Sequence, residues 1–233
     1  VIVQGGRRRG ANMGVLRFDH PDIVEFAQAK TQEGAFLNFN LSVAVTDEFM
    51  DCAKKNKRYP LINPRNRMRE REVNAKSIFD LIANAAWQSG DPGLIFMDRI
   101  NKFNPTPSLG KIEATNPCGE LPLLPYESCN LGSINLSKMV ENGRLNWDKL
   151  ASIVRLGIRF LDNVIEINKF PLPQIEEITQ KNRKIGLGVM GFADMLILLG
   201  VPYSSSEAVR FAKNLMRFIH KESIRSSVEL AKE

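Results

Sequence analysis

The chain has 233 residues, 43% hydrophobic and 25% charged, an ordinary balance for a globular fold with room for one large core or two small ones. No apolar run reaches the length of a membrane span, and an odd count of 3 cysteines without close pairs argues against a secreted disulfide scaffold. The net charge of +6 admits anionic partners, nucleic acid or nucleotide phosphates, but few aromatics lie near the basic clusters, which argues against a single-strand stacking surface. With only His20 and His220 and no Cys-x-x-Cys, no structural zinc site is expected, and a reducing cytoplasm is the expected compartment.

In chain order, residues 1–3 read as the end of a strand and residues 4–10 as a loop of glycines and arginines. Gly5, Gly6 and Gly10 permit unusual backbone angles, and Arg7, Arg8 and Arg9 offer planar donors to phosphates or base edges. No Gly-Lys-Ser/Thr follows, so this is not a Walker loop; on pattern alone a solvated turn and an anion-reading loop stand level. Residues 11–18 resume a strand. Asp19-His-Pro-Asp22 reads as a helix start with Pro21 at the first helical position, and Ile23, Phe26 and Ala27 form the inward stripe. His20 reads as a cap-region residue rather than a catalytic base. Residues 36–45 alternate apolar side chains with Asn38, Asn40 and Ser42, as in a strand with one polar face. Thr46 then caps a helix carrying Phe49, Met50 and Ala53, and Cys52 on that helix is given no role. Lys54, Lys55, Lys57 and Arg58 read as solvated surface, and Arg65, Arg67, Arg69 and Arg71 as a mobile solvated connection.

Residues 74–89 form an amphipathic pattern with Ile78, Leu81, Ile82, Ala85 and Ala86 inward, stopped by Gly90-Asp-Pro-Gly93. Residues 94–97 read as a short apolar strand or turn, and residues 101–110 as loop. Residues 147–167 are a long helix with Leu150, Ile153, Val154, Gly157, Ile158, Leu161 and Ile165 at helical spacing, ended by Pro171 and Pro173. Residues 185–190 read as a closely approached buried strand. Gly186, Gly188 and Gly191 spell Gly-x-Gly-x-x-Gly, but no acidic residue follows at the dinucleotide spacing, so close strand packing is the reading. A helix over residues 192–199 follows. Ser204-x-x-Glu207 then reads as a capping box opening a helix with Phe211, Ala212, Leu215 and Ile219 inward and His220 at the rim. Strands alternating with helices imply a parallel α/β arrangement, and pattern alone does not separate an open sheet from a barrel. Val1 is not Met, and the last helical pattern reaches Glu233 without a stop signal, so the chain reads as an internal piece of a longer polypeptide.

The densest chemistry lies in Ala114-Thr-Asn-Pro-Cys-Gly-Glu120, followed by Cys129-Asn-Leu-Gly132. An amide, a thiol and a carboxyl occupy alternate positions: Asn116, Cys118 and Glu120. Pro117 bars helix and Gly119 lets backbone approach a ligand, so an extended backbone would send all three side chains to one side. The competing reading makes Cys118 and Cys129 small core residues and Asn116-Pro117 a turn.

Asn116-Pro-Cys-Gly-Glu120 followed by Cys129-Asn-Leu-Gly-Ser-Ile-Asn-Leu136 closely resembles the finger loop of the ribonucleotide reductase catalytic subunit, in its adenosylcobalamin-dependent (class II) form. Residues 4–14 look like that family's loop linking effector site to substrate site. Residues 90–96 and 183–191 resemble further family segments, so the likeness spans nearly the whole chain. It implies a partial barrel domain over residues 1–233, part of a ten-stranded α/β barrel with the finger loop, residues 114–132, threaded through its centre. The effector-linked loop would act through Gln4, Gly5, Gly6, Arg7, Arg8, Arg9 and Ala11.

The resemblance further implies reduction of ribonucleotides to 2′-deoxyribonucleotides for DNA synthesis, with adenosylcobalamin as cofactor and a deoxynucleoside triphosphate as allosteric effector. Cys118 would carry a thiyl radical and take the 3′-hydrogen. Glu120 would accept the 3′-hydroxyl proton, and Asn116 would hold the 2′-hydroxyl or the forming ketone. Cys129 matches one of two reductant thiols that end as a disulfide, its partner lying on a strand absent from this sequence. A thioredoxin-type or glutaredoxin-type reductant and a full-length homodimer are implied as partners; no nucleic acid, membrane or protein-held metal is expected. The class I, iron-dependent large subunit shares the Asn-x-Cys-x-Glu pattern, but the Cys directly before Asn130-Leu-Gly favours class II. A non-catalytic nucleotide-binding piece with inert thiols is the remaining alternative.

Overall fold

A computed structural model describes residues 3–4, 8–32 and 34–233. The chain divides into two units, Val1–Pro125 and Tyr126–Glu233. Among the described residues no helix is long and apolar enough to cross a membrane.

In the first unit, β1 (Val3–Gln4) pairs antiparallel with β2 (Arg8–Arg9). A parallel sheet follows, in the order β3 (Asn12–Arg17), β4 (Phe39–Val45), β7 (Gly93–Phe96). Asn12 lies opposite Phe39, and Ser42 opposite Gly93. The connections are α1 (Ile23–Gln28), α2 (Asp47–Lys54), the antiparallel hairpin of β5 (Arg58–Ile62) and β6 (Arg69–Asn74), and α3 (Ala75–Ser89). Their core joins Ile23, Val43, Val45, Phe49, Leu61, Ile78 and Ile82. The rings of Phe18, Phe49 and Tyr59 meet at centroid distances of 5.0 to 5.4 Å, a favourable aromatic spacing. Thr46 and Asn74 cap α2 and α3 by accepting the N–H groups of Phe49 and Ser77. The unit continues through α4 (Met97–Lys102) to β8 (Ala114–Thr115) and β9 (Pro122–Leu123).

In the second unit, β10 (Asn130–Asn135) pairs in parallel with β13 (Ile185–Met190), Asn130 opposite Ile185. A short hairpin of β11 (Val140–Glu141) and β12 (Arg144–Leu145) leads into α5 (Trp147–Ile167) and α6 (Pro173–Asn182). After β13 come α7 (Phe192–Leu199) and α8 (Ser206–Leu230). Leu136, Leu150, Val154, Met195, Leu215 and Ile219 form the second core. Arg183 binds α5 to the start of β13, its guanidinium donating to Asp162 at 2.8 Å and Glu166 at 2.5 Å. Gly186 is closely approached, as expected: a Cβ there would collide with the Leu131 side chain on β10.

The fold is thus mixed α/β with parallel pairing, and no closed barrel forms among the described residues. Several local expectations are corrected. The first helix begins at Ile23, because His20 Nδ1 accepts the Asp22 N–H and holds Pro21 in a turn. Strand β4 begins at Phe39 and is buried from Leu41 to Val45 on both faces, since it is the central strand of a parallel sheet; Ser42 is buried with it. The expected arginine-rich connection contains β6, paired to β5. Pro173 starts a helix, occupying the first position of α6, where its missing N–H costs nothing. Ser205, not Ser204, caps α8, accepting the Ala208 N–H.

Candidate active site

The finger segment folds as a hairpin within the first unit. Ala114 pairs with Leu123 and Thr115 with Pro122. Between them the chain reverses: Asn116 N–H donates to Leu121 O at 3.2 Å, and Gly119 N–H donates to Asn116 O at 2.9 Å. Asn first, Pro second and Gly fourth is the residue order that such a four-residue turn prefers. Gly119 has φ +85°, which a side chain disfavours.

This corrects the extended backbone expected from the sequence. The turn bends the chain at Pro117 and Cys118, so the period of two that sends alternate side chains to one side does not hold there. The fixed φ of Pro117 suits the second position of a turn as well as a strand. The Asn-Pro-x-Gly order was the signal for the turn. One hairpin tip still carries Asn116, Cys118 and Glu120. Asn116 is half-buried, and its Oδ1 accepts Leu121 N–H at 3.0 Å. Its backbone oxygen also accepts the Thr115 hydroxyl at 3.0 Å. Cys118 and Glu120 are exposed. Asn40 on β4 joins the tip, its Nδ2 donating to Pro117 O at 2.7 Å. In the sequence Asn40 shows only as part of a polar strand face.

Cys129 belongs to the second unit, directly before β10. It is half-buried, and its Sγ donates to Asn130 O at 3.5 Å. It borders a cavity of about 120 Å³ shared with Ser128, Asn130, Asn168, Thr179 and Lys184. Beside it the fully buried carboxylate of Glu127 accepts Lys184 Nζ at 2.6 Å and the Asn182 amide. The Ser128 and Thr179 hydroxyls lie 2.9 Å apart, and Asn130 Nδ2 donates to Leu161 O at 2.9 Å. A buried ion pair of residues 57 apart in sequence left no trace in local pattern.

The family described as ribonucleotide reductase, barrel domain, matches residues 1–233. The chain belongs to the ribonucleotide reductase barrel-domain family. It is 54% identical over 235 residues to the vitamin B12-dependent ribonucleoside-diphosphate reductase of Thermoplasma acidophilum, covering 100% of this chain and 31% of that protein. The protein of the same name from Mycobacterium tuberculosis is 51% identical over 234 residues, covering 100% of this chain and 34% of that protein. The vitamin B12-dependent ribonucleotide reductase of Rhodopirellula baltica is 31% identical over 258 residues, covering 99% of this chain and 25% of that protein. The chain therefore spans a quarter to a third of the length of these curated relatives.

Within this reductase barrel-domain chain, the expected effector-linked loop is partly described. Gly5, Gly6 and Arg7 lie outside the described residues. The backbones of Gln4 and Arg8 pair across β1 and β2, Arg9 lies opposite Val3, and Ala11 is exposed ahead of β3.

Proposed function

We propose that this chain is the part of an adenosylcobalamin-dependent ribonucleotide reductase that carries the radical cysteine, within a ten-stranded barrel of the full-length cytoplasmic enzyme. The observation that carries the reading is the exposed Cys118 thiol on a tight turn flanked by Asn116 and Glu120. The names of the relatives, vitamin B12-dependent enzymes, support cobalamin over an iron-dependent partner subunit. An exposed thiol at a hairpin tip fits a hydrogen donor reached by a separate radical-bearing cofactor. When bound, adenosylcobalamin supplies the one-electron initiation that polar groups cannot.

Cys118 then acts as a thiyl and takes the 3′-hydrogen of a ribonucleotide. Glu120 accepts the 3′-hydroxyl proton as the 2′-hydroxyl leaves as water. Because Asn116 Oδ1 is engaged by Leu121 N–H, its amide nitrogen is the group that donates to the 2′ oxygen and then to the ketone. Cys129 and a second thiol outside this chain supply two protons and two electrons and close a disulfide, one proton leaving in the water and the other ending on C2′, and Cys118 returns its hydrogen to C3′. A thioredoxin-type or glutaredoxin-type protein reopens that disulfide in a homodimeric enzyme. The loop of residues 4–14 couples a bound deoxynucleoside triphosphate to substrate choice.

The test is turnover of a ribonucleotide by the purified full-length protein with adenosylcobalamin, a dithiol and a deoxynucleoside triphosphate as the only other additions. Deoxynucleotide formation is expected. An absolute need for a separate radical-generating subunit would contradict the proposal.

A further inference from the structure

The finger turn is tied to the parallel sheet of its own unit through Asn40, whose Nδ2 donates to Pro117 O at 2.7 Å across 77 residues of sequence. Both backbone neighbours of Asn40 are clamped. Lys30 Nζ donates to Phe39 O at 2.6 Å and to Asp91 Oδ2 at 2.6 Å, and Asp91 Oδ1 accepts Leu41 N–H at 2.9 Å. The Lys30 and Asp91 side chains are each only 16% exposed, so this clamp is shielded from water and salt. Asn40 also sits in sheet register opposite Met13. Its amide therefore projects from a fixed backbone.

The acceptor matters as much. Pro117 has no N–H, so its carbonyl is the group by which the second turn residue can be held. That carbonyl lies in the same planar peptide as the Cys118 nitrogen and Cα. Holding the oxygen fixes the plane from which the Cys118 side chain departs.

We propose that Asn40 is a positioning residue for the radical thiol: it orients the Pro117–Cys118 peptide and so aims Cys118. This rests on the reading of Cys118 as the radical carrier. Hydrogen transfer to and from sulfur requires near-contact geometry, and a misplacement of about 1 Å costs on the order of 100-fold in rate.

The test uses Asn40→Asp, isosteric but with an oxygen in place of the donor, and Asn40→Ala, both in the full-length protein. Hydrogen exchange at Gly119 and Leu121 reads the turn without turnover, since both amides are bonded within it. Both variants should exchange several-fold faster there, with thermal stability unchanged. Their kcat should fall on the order of 10- to 100-fold at unchanged KM for the ribonucleotide. Wild-type exchange at Gly119 and Leu121 with wild-type kcat would overturn the proposal. So would an activity loss accompanied by faster exchange throughout β3, β4 and β7, which marks a structural role. If the wild-type full-length protein reduces no ribonucleotide, the reading of Cys118 fails, while exchange at Gly119 and Leu121 still decides whether Asn40 holds the turn.

Discussion

Gly119 is the residue on which the shape of the finger turn rests most narrowly. Its φ of +85° is open to glycine, while an L side chain there pays about 1–2 kcal/mol. A Cβ at this position meets nothing within 4 Å, so the penalty for alanine is conformational rather than steric. Gly119→Ala should lower full-length stability by about 1 kcal/mol in denaturant unfolding and reduce turnover, with Gly119→Asn milder in both. Unchanged stability and turnover would show that the turn does not need this conformation. Tyr59 sets a second expectation. Burial, and secondarily the charge of Asp19, push its phenol pKa up, and its hydroxyl donates to Phe18 O at 2.8 Å. The folded state therefore holds the phenolic proton more tightly than the unfolded state. Stability from this group is complete below the ordinary tyrosine value of about 10 and is lost as pH rises above it. Urea unfolding at about pH 9 and about pH 11 should show a smaller loss in Tyr59→Phe than in wild type; equal losses would contradict the assignment. At this scale the residue types at 116, 118 and 120 were legible, because amide, thiol and carboxyl announce chemistry. The backbone beneath them was less so, because Pro117 fits a strand and a turn alike.

Among the elements, α3, α5 and α8 were legible because a helical apolar stripe runs through each. Helices α4 and α6 were not: α4 buries no residue and α6 buries only Thr179, so neither shows an apolar stripe. Strand β6 is largely exposed and charged, and its pairing with β5 is a property of the partner rather than of its own pattern. The same holds for the link between Glu127 and the segment joining α6 to β13. Lys184→Met removes the cation from a fully buried carboxylate and should cost about 3–5 kcal/mol in full-length stability. Adding Glu127→Gln should recover most of that loss, and full additivity of the two substitutions would argue against coupling. The loop of residues 4–14 carries a functional expectation instead. Replacing Gln4 or Arg8 by Ala should change which deoxynucleotide stimulates reduction of which ribonucleotide, measured across the four substrates. A uniform loss for every pair would make the loop a binding element only.

For the whole molecule, strand–helix alternation correctly indicated parallel α/β pairing, and the chain length admitted the two cores that are present. Pattern did not separate an open sheet from a barrel, because closure depends on the edges of every strand at once, and no closed barrel forms among the described residues. The described sheets have two or three strands. The finger motif was more legible than the architecture, because it is local, whereas sheet order is not. We propose that Cys118 and Cys129 do different work in one reaction, and labelled hydrogen at C3′ of the ribonucleotide separates them. In the full-length enzyme, Cys118→Ser should abolish both C3′ hydrogen exchange and deoxynucleotide formation. Cys129→Ser should keep C3′ abstraction but release free base from a decomposing intermediate in place of deoxynucleotide. C3′ exchange or turnover retained by a folded Cys118→Ser protein would contradict the assignment of the radical to Cys118.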